Sequence, residues 1–354
     1  MRIVPAPPYV SSTATFPDEP RLAVARDLSG RFPEARLRET AVVRAPDLDL
    51  RADPRGETRV WLALEALQVT GSFKVRGALM ALARIRGKDV RAITASAGNH
   101  GAGVSYASRI LGVSAVVVVP SSSPRAKRDK ISAWGAEIVV CTSPHFDDAE
   151  ALARELAERE SGVFVSAYDD LDVVAGNGCS LGYEIVRGLG GVPDVTIAPI
   201  GGGGLCTGLA VAMADEAHEP LTGTAARRVW GVQSEASPAA AWSLEKGRAI
   251  ERLTEDAPTL AEGLEGGIAL DAFERVRVAV AGVAIVSEAK IAAAMAYAHK
   301  DIGIVLEGSA AVALVPVLAG LPDEMRGGDV VVVLTGRNVD QERLDRVLAG
   351  AVSC

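Results

Sequence analysis

The chain has 354 residues, of which 49% are hydrophobic and only 4% aromatic, and its formal net charge at pH 7 is −8. This length is sufficient for two sub-domains, each built around a substantial core. The abundance of small and branched apolar residues is typical of an α/β protein with buried parallel strands. The negative charge argues against nucleic acid or an anionic membrane as the main partner.

The four cysteines and four histidines are scattered and form no metal-ligand motif. This pattern favours a reducing cytoplasm and predicts no metal site. The first twenty residues are rich in proline, serine and threonine, so no signal peptide is predicted. The longest apolar runs have the length of strands and are too short to cross a bilayer. We therefore expect a soluble cytoplasmic protein.

The first 35 residues contain six prolines and one short helix candidate near residues 22–28. They are predicted to form an extended arm on the body or on a neighbouring subunit, with disorder of the first dozen residues as the alternative. From residue 59 onward, short apolar strands alternate with helices, and glycines or prolines punctuate their ends. Strands are predicted at 60–64, 92–95, 115–119, 137–141, 163–166, 195–200, 229–233, 281–286, 304–306 and 330–334.

Helices are predicted between these strands, which indicates parallel-sheet units. Ser287 is expected to cap one of them, and the segment around 262–264 has no assignment. The helices run from the turn at Lys74 to about residue 85, at 99–111, 124–134, 146–160, 174–189, 205–215 and 288–300, and onward from 309 and 341.

The stretch TGSFKVRGA, residues 70–78, places Lys74 between a glycine turn and the start of an apolar helix. A lysine fixed there and partly desolvated has a lowered pKa, and its amine can form a Schiff base with an aldehyde. A surface lysine that opens an ordinary helix is the alternative for this stretch alone.

The stretch SAGNHG, residues 96–101, lies between a predicted strand end and a predicted helix start. A helix N-terminus offers unpaired N–H groups and a partial positive charge to a carboxylate. In open parallel sheets, ligands bind at this edge. The Asn99 amide is suited to bond a phenolic oxygen, although an ordinary capped turn is the alternative.

Four consecutive glycines, Gly201 to Gly204, follow one predicted strand and open the next helix. Their backbone can curl so that several N–H groups point at one phosphate. No lysine follows, so the loop is not a nucleotide P-loop, and it lacks the dinucleotide fingerprint. A flexible turn is the alternative.

The stretch LTGRN, residues 334–338, ends the last predicted strand. The Thr335 hydroxyl can make one weak hydrogen bond to a ring nitrogen, and a plain strand-terminating turn is the alternative. Together and in this order, the four stretches resemble the fold type II pyridoxal-phosphate-dependent enzymes, the tryptophan synthase β-like family. The branch most similar is that of the serine/threonine dehydratases and serine racemases.

The resemblance extends from about residue 36 to residue 338. It implies an α/β fold with two open, mostly parallel sheets flanked by helices, and a homodimer or homotetramer. A large cofactor domain is expected at 1–86 and 173–354, and a smaller mobile domain at 87–172.

The same resemblance implies that Lys74 carries pyridoxal 5'-phosphate and takes the proton from a small amino-acid substrate. Phe73 would pack near the ring, Asn99 would bond the phenolic oxygen and Thr335 would face the pyridine nitrogen. The other implied cofactor-binding residues are Gly201, Gly202, Gly203, Gly204 and Leu205. The implied substrate-binding residues are Ser96, Gly98, Asn99 and His100, with Arg337 as a tentative addition.

Several positions depart from the family pattern. Ala97 stands where racemising relatives carry a second serine, so elimination without racemisation is expected. Gln233 and Ala239 stand where some relatives have acidic cation ligands, so no divalent-cation dependence is expected. Gly308 replaces a usual proline. Arg337 replaces a usual glycine and is either a specificity device or a solvent-facing side chain.

The implied function is a pyridoxal-phosphate-dependent ammonia-lyase, a dehydratase that converts a β-hydroxy L-amino acid such as serine or threonine into a 2-oxo acid and ammonia. A hydroxyl opposite the ring nitrogen favours loss of a β-substituent over transamination. The short segment after residue 338 predicts no regulatory domain. The alternatives are a β-replacement or threonine-synthase-like enzyme, and a pyridoxal-phosphate-binding protein without catalysis.

Overall fold

The computed structural model describes residues 1–7, 13–221, 228–253 and 257–350. Its strands form a seven-stranded sheet in the order β1-β10-β9-β8-β11-β3-β2 and a four-stranded sheet in the order β6-β5-β4-β7. The strands are β1 (Arg2–Pro5), β2 (Val42–Arg44), β3 (Arg59–Ala63), β4 (Ala92–Ala95), β5 (Ala115–Val119), β6 (Glu137–Val140), β7 (Val163–Phe164), β8 (Val195–Pro199), β9 (Val229–Ser234), β10 (Gly282–Val286) and β11 (Asp329–Val333).

Helices flank both sheets, and no described helix is long and apolar enough to cross a membrane. The α-helices are α1 (Glu19–Ala25), α2 (Leu28–Arg31), α3 (Asp49–Ala52), α4 (Lys74–Ala83), α5 (Asn99–Leu111), α6 (Arg125–Ser132), α7 (Phe146–Arg159), α8 (Leu171–Val174), α9 (Ser180–Leu189), α10 (Gly204–Glu216), α11 (Ala239–Lys246), α12 (Leu270–Ala279), α13 (Glu288–Tyr297), α14 (Gly308–Ala311), α15 (Val315–Ala319) and α16 (Gln341–Leu348).

The larger sheet is parallel except at its two edges, where β1 and β2 run antiparallel to β10 and β3. Its central strand β11 is a run of valines because both of its faces are covered. Val330 and Val332 pack in a core with α13 and α15, whereas Val331 and Val333 pack in a second core with α10 and α12. The mostly parallel α/β architecture predicted from the sequence is therefore confirmed.

The smaller sheet is entirely parallel, and its four strands fall within residues 92–164. Val117 of β5 faces a core shared with α4 and α5, and the adjacent Val116 faces α7. Helix α4 therefore packs against the smaller sheet, although the predicted bounds assign it to the large domain. The domain bounds and the mobility of the smaller domain stay predictions.

The N-terminal arm begins with a strand that the sequence did not predict. Residues Arg2–Pro5 pair with β10, and Val4 is only 3% exposed, so this part of the arm packs on the body of its own chain. Pro5 is tolerated because β1 is an edge strand. Residues 8–12, part of the first dozen for which disorder was the alternative, lie outside the described residues.

One predicted strand is wrong. The apolar run 304–306 has no strand structure, although Leu306 is fully buried. It follows a π-helical turn at Ala298–Ile302, which Ile304 closes by donating its N–H to the Ala298 carbonyl. An apolar run can be buried by helices as well as by a sheet, so its length alone was misleading.

Several elements, among them β2, α3, α11 and α12, lie in segments for which the sequence predicted no helix or strand. The predicted helix from 174 instead contains a π-helical turn, Ala175–Cys179, before α9. A Cβ atom on Gly176 would lie 2.5 Å from the Arg76 carbonyl oxygen, so this turn lies directly against α4. Ser287 occupies the N-cap position of α13, but its side chain makes no capping hydrogen bond.

Candidate active site

The turn before Lys74 is held against the end of β11. Phe73 donates its N–H to the Thr335 carbonyl at 3.1 Å, and Arg337 donates its N–H to the Gly71 carbonyl at 2.9 Å. Gly71 has a φ of +78°, and a Cβ atom there would lie 2.6 Å from Asn338 Oδ1. Only glycine meets both demands, so two stretches far apart in the sequence form one rigid corner.

Lys74 is the first residue of α4 and is partly buried. Its Nζ donates to the Ala167 carbonyl at 3.1 Å and lies 5.2 Å from the centroid of the Phe73 ring. Burial lowers the pKa of Lys74 to about 8, against the opposing influence of Glu307. A useful fraction of the amine is therefore neutral near physiological pH, as a nucleophile or base requires.

Asn99 is the first residue of α5, and both ends of its amide have partners. Its Nδ2 donates to Glu307 Oε1 at 2.7 Å, and its Oδ1 accepts from Asn338 Nδ2 at 2.6 Å. In the turn before the helix, Ser96 Oγ accepts from the Gly98 N–H at 3.1 Å. The structure thus brings three of the predicted stretches, TGSFKVRGA, SAGNHG and LTGRN, to one place.

His100 is buried, and its Nε2 lies 3.4 Å from the Val165 carbonyl oxygen. Burial, aided by the nearby Lys74, lowers the pKa of His100 to about 3, so the ring is neutral at physiological pH. Its Nδ1 is buried and has no hydrogen-bond partner among the described residues. His100 is therefore suited to offer hydrogen bonds rather than positive charge, and its role in substrate binding stays a prediction.

The glycine loop connects β8 to α10 and leaves no space for side chains. A Cβ atom on Gly202 would lie 2.5 Å from the Tyr168 ring, and one on Gly203 would lie 2.3 Å from the Val276 side chain. Gly203 also has a φ of +84°, and Gly204 begins the helix. The loop therefore presents bare backbone at a helix N-terminus, a suitable cradle for an anion.

The remaining predicted residues have different exposures. Thr335 and Leu205 are buried at 3% and 8% exposure, whereas the Arg337 side chain is exposed. Ser72, two residues before Lys74, has a buried Oγ that finds no hydrogen-bond partner in the described part of the chain. The role of Arg337 in substrate binding stays a prediction.

Glu307 is a site residue to which sequence reasoning gave no role. Burial raises its pKa to about 7, although hydrogen bonds from the Asn99 side chain and the Asn338 backbone oppose the shift. A carboxyl whose pKa is shifted to near neutral pH is common at functional sites. The string EGSAA, residues 307–311, was the available signal in the sequence.

At the position where the family resemblance implies a cation ligand in some relatives, Gln233 Oε1 accepts from the Ala241 N–H at 3.1 Å. Its Nε2 is buried, has no partner within the described ranges and, being an amide nitrogen, is no ligand for a hard cation. Within the described residues, no cluster of three or more His, Cys, Asp or Glu side chains is placed to hold a metal. Independence from divalent cations stays a prediction.

The assembled residues fit pyridoxal phosphate. Lys74 supplies a partly neutral amine for an aldehyde, and the glycine loop supplies a cradle that side chains would fill. The orphaned Ser72 Oγ and one unused N–H of Asn99 offer hydrogen bonds to further polar atoms. The chemical groups required by an aldehyde, a phosphate and a phenolic oxygen are therefore all present among the candidate site residues.

Comparisons with known proteins agree with this fit. Residues 34–336 match the family described as pyridoxal-phosphate dependent enzyme. The L-threonine ammonia-lyase of Thermotoga maritima is 36% identical over 292 residues, which cover 82% of this chain and 69% of that protein. The catabolic L-threonine dehydratase of Escherichia coli K12 is 34% identical over 83% of this chain and 87% of its own length.

Solved structures are similar over most of the chain. A threonine deaminase from T.th. superposes with a TM-score of 0.77 at 32% identity, covering 92% of this chain and 99% of that one. The processed form of threonine deaminase isoform 2 from Solanum lycopersicum superposes with a TM-score of 0.81 at 26% identity, covering 99% of both chains.

Proposed function

Because the chain belongs to the pyridoxal-phosphate-dependent enzyme family, we propose that it is an ammonia-lyase that dehydrates a β-hydroxy L-amino acid, with L-threonine as the first candidate. The observation that carries the proposal is the partly buried Lys74 amine, with a pKa of about 8. It bonds the carbonyl of Ala167, the residue before Tyr168, and the Tyr168 ring lies against Gly202 of the glycine loop. Relatives named threonine ammonia-lyase and threonine dehydratase support the choice of substrate.

Pyridoxal phosphate, when bound, supplies an aldehyde for the substrate amine and an electron-withdrawing ring that stabilises negative charge at the α-carbon. Lys74 Nζ would accept the α-proton, because its lowered pKa leaves a useful fraction of the amine neutral. The glycine loop would hold the phosphate through backbone N–H groups. The N-terminus of α5, with Ser96 and neutral His100, holds the substrate carboxylate.

The α-proton and the β-hydroxyl leave together as one water, and hydrolysis of the resulting enamine by one water gives a 2-oxo acid and ammonia. Ala97 has no group that can move a proton, so the face opposite Lys74 lacks an acid or base at this position. The enzyme therefore releases 2-oxo acid from L-threonine or L-serine without forming the D-amino acid at a comparable rate.

The test is a panel of amino acids supplied to the holoenzyme without any added nucleophile. L-Threonine is expected to give 2-oxobutanoate and ammonia in equal amounts. K88A is a matched control for loss of the lysine in K74A, because Lys88 is exposed and lies just beyond α4. K74A should be inactive, and K88A should be as active as the wild type.

Two outcomes would favour the other candidates. Product formation only in the presence of a nucleophile such as sulfide would indicate a β-replacement or threonine-synthase-like enzyme. Visible absorbance of the bound cofactor that no amino acid perturbs would indicate a binding protein without catalysis.

The proposal includes a homodimer or homotetramer in the cytoplasm. Support for the compartment comes from Cys141, Cys179 and Cys206, which are buried and free of disulfides. Support for the assembly comes from the family resemblance. Light scattering coupled to size-exclusion chromatography measures the assembly, and a monomer at micromolar concentration would contradict it.

A further inference from the structure

Four polar side chains form one continuous hydrogen-bonded chain at the site. Lys130 Nζ donates to Asn338 Oδ1, and Asn338 Nδ2 donates to Asn99 Oδ1 at 2.6 Å. Asn99 Nδ2 then donates to Glu307 Oε1 at 2.7 Å. The chain passes between the two halves of the molecule, because Lys130 and Asn99 lie on α6 and α5 beside the smaller sheet, and the other two residues lie beside the larger sheet.

Which group donates and which accepts in each hydrogen bond of this chain follows from its first member, Lys130. The Lys130 ammonium is only a donor, so it must face an oxygen of Asn338. Asn338 Nδ2 also donates to the Thr70 carbonyl at 3.0 Å, and a carbonyl is only an acceptor. With Lys130 on one side and Thr70 on the other, a flipped Asn338 amide would face both partners with the wrong group.

The orientation of the Asn99 side-chain amide follows from that of Asn338. Since Asn338 presents a donor, Asn99 must present Oδ1 to it and Nδ2 to Glu307. Nδ2 carries two hydrogens, and only one of them is used by Glu307. The other is available to the phenolic oxygen that the proposed cofactor position brings to Asn99.

We propose that Asn338, supported by Lys130, is a positioning residue that holds the Asn99 amide with its nitrogen toward the cofactor. The inference rests on the proposed placement of the cofactor beside Lys74. Without Asn338, only the Glu307 carboxyl would orient the Asn99 amide. A protonated carboxyl can accept from Nδ2 or donate to Oδ1, so it does not determine the orientation. A flipped amide would place its oxygen against an ionised phenolic oxygen.

Two neighbouring glycines leave room for this hydrogen-bonded chain. A Cβ atom on Gly71 would lie 2.6 Å from Asn338 Oδ1, and one on Gly336 would lie 2.2 Å from Glu307 Oε1. Both positions therefore need glycine for the chain to form. This explains why TGSFKVRGA and LTGRN each contain a glycine at the point where they meet.

The experiment measures the visible absorbance of the bound cofactor as a function of pH in the holoenzyme, without substrate. N338L is neutral and close in size but makes no hydrogen bonds. Loss of the fixed Asn99 donor disfavours the ionised phenolic oxygen, so the apparent pKa of the absorbance change should rise by about one unit or more. A merely structural role for Asn338 would change the melting temperature but not this titration.

The second comparison is K130M against K127M. Both remove one positive charge from α6, but Lys127 pairs with Glu262 at 2.7 Å and lies outside the chain. K130M should shift the absorbance titration further than K127M, and K130R should restore it. Because no substrate is present, a failure of the proposed dehydratase activity leaves these results unaffected.

An N338L titration within about 0.3 unit of the wild type would overturn the proposal, whatever the lysine variants do. If N338L cannot be isolated with its cofactor, the comparison of K130M with K127M tests the proposal instead. Equal titrations of K130M and K127M would then refute the role of the chain, and a larger shift in K130M would support it.

Discussion

Two cations lie two residues apart on the first turn of α4, and their surroundings are opposite. Arg76 is fully buried and is bound by two carboxylates, Glu65 and Glu184, at 2.8 and 2.6 Å. Lys74 is partly buried, and its Nζ donates to the neutral carbonyl of Ala167. Residues i and i+2 of a helix point to nearly opposite sides, so one turn serves two environments.

The two environments shift the pKa values of Arg76 and Lys74 in opposite directions. Burial disfavours the charge of Arg76, but the two carboxylates more than compensate and raise its pKa. Burial lowers the pKa of Lys74 to about 8, because Glu307 compensates only in part. Arg76 therefore holds α4 in place as a permanent cation, and Lys74 is left able to exchange a proton at neutral pH.

The largest effect is expected from K74A. Loss of the amine removes both the covalent attachment of the cofactor and the group that accepts the α-proton, so kcat should fall on the order of 1,000-fold or more. Between cofactor-free proteins, the melting temperature of K74A should not fall below that of the wild type, since Lys74 Nζ donates to a carbonyl rather than to a carboxylate and burial disfavours its charge. Steady-state 2-oxo acid formation and differential scanning fluorimetry measure the two quantities. A substantial residual kcat would contradict the role of Lys74.

R76M, unlike K74A, should mainly lower the stability of the protein. It leaves Glu65 and Glu184 buried without their cation, and the free energy of unfolding should decrease by roughly 3–5 kcal/mol. Urea denaturation measures the loss. R76K keeps the charge but not the forked geometry, and should be affected less. If R76M were as stable as the wild type, the ion-pair cluster would have no structural role.

The stability of the cofactor-free protein should rise as the pH is raised from about 8 to 10.5. Over this range the folded state has released the Lys74 proton, but the unfolded state, with a pKa of 10.5, still holds it. Stability increases with pH wherever the unfolded state binds more protons. Denaturation midpoints across this range, compared with those of K74M, check the slope. Parallel curves for the two proteins would show that Lys74 titrates normally.

The smallest effect is expected from E307Q. Glu307 opposes the lowering of the Lys74 pKa, so its neutral isostere should lower that pKa further, by less than about one unit. The pH dependence of Lys74 modification by an amine reagent in the cofactor-free protein measures the shift. An unchanged or raised pKa would show that Glu307 is protonated throughout or is too distant to act.

Much of this fold was predictable because it rests on local patterns. The buried strand 330–334 and the loop at Gly201 to Gly204 were predicted from runs of one residue type with clear punctuation. The four-residue β1 was missed because it is short and contains Pro5. The run 304–306 was wrongly predicted as a strand because apolar residues are also buried where they pair with no strand.

The site was predicted less completely than the fold. Lys74 and Asn99 were found from their own motifs, but Glu307 and Asn338 act on Asn99 from 208 and 239 positions away. No local pattern reports a contact over that distance. Tyr168, whose ring covers Gly202, was missed for the same reason.

The sequence by itself determined the family, the lysine proposed to anchor the cofactor and the backbone loop suited to its phosphate, because each depends on a short contiguous string. Only the tertiary structure decided the protonation of Lys74, the neutral state of His100 and the direction in which the Asn99 amide points. Those properties depend on desolvation and on hydrogen bonds between distant segments, and both arise only when the two sheets are packed together.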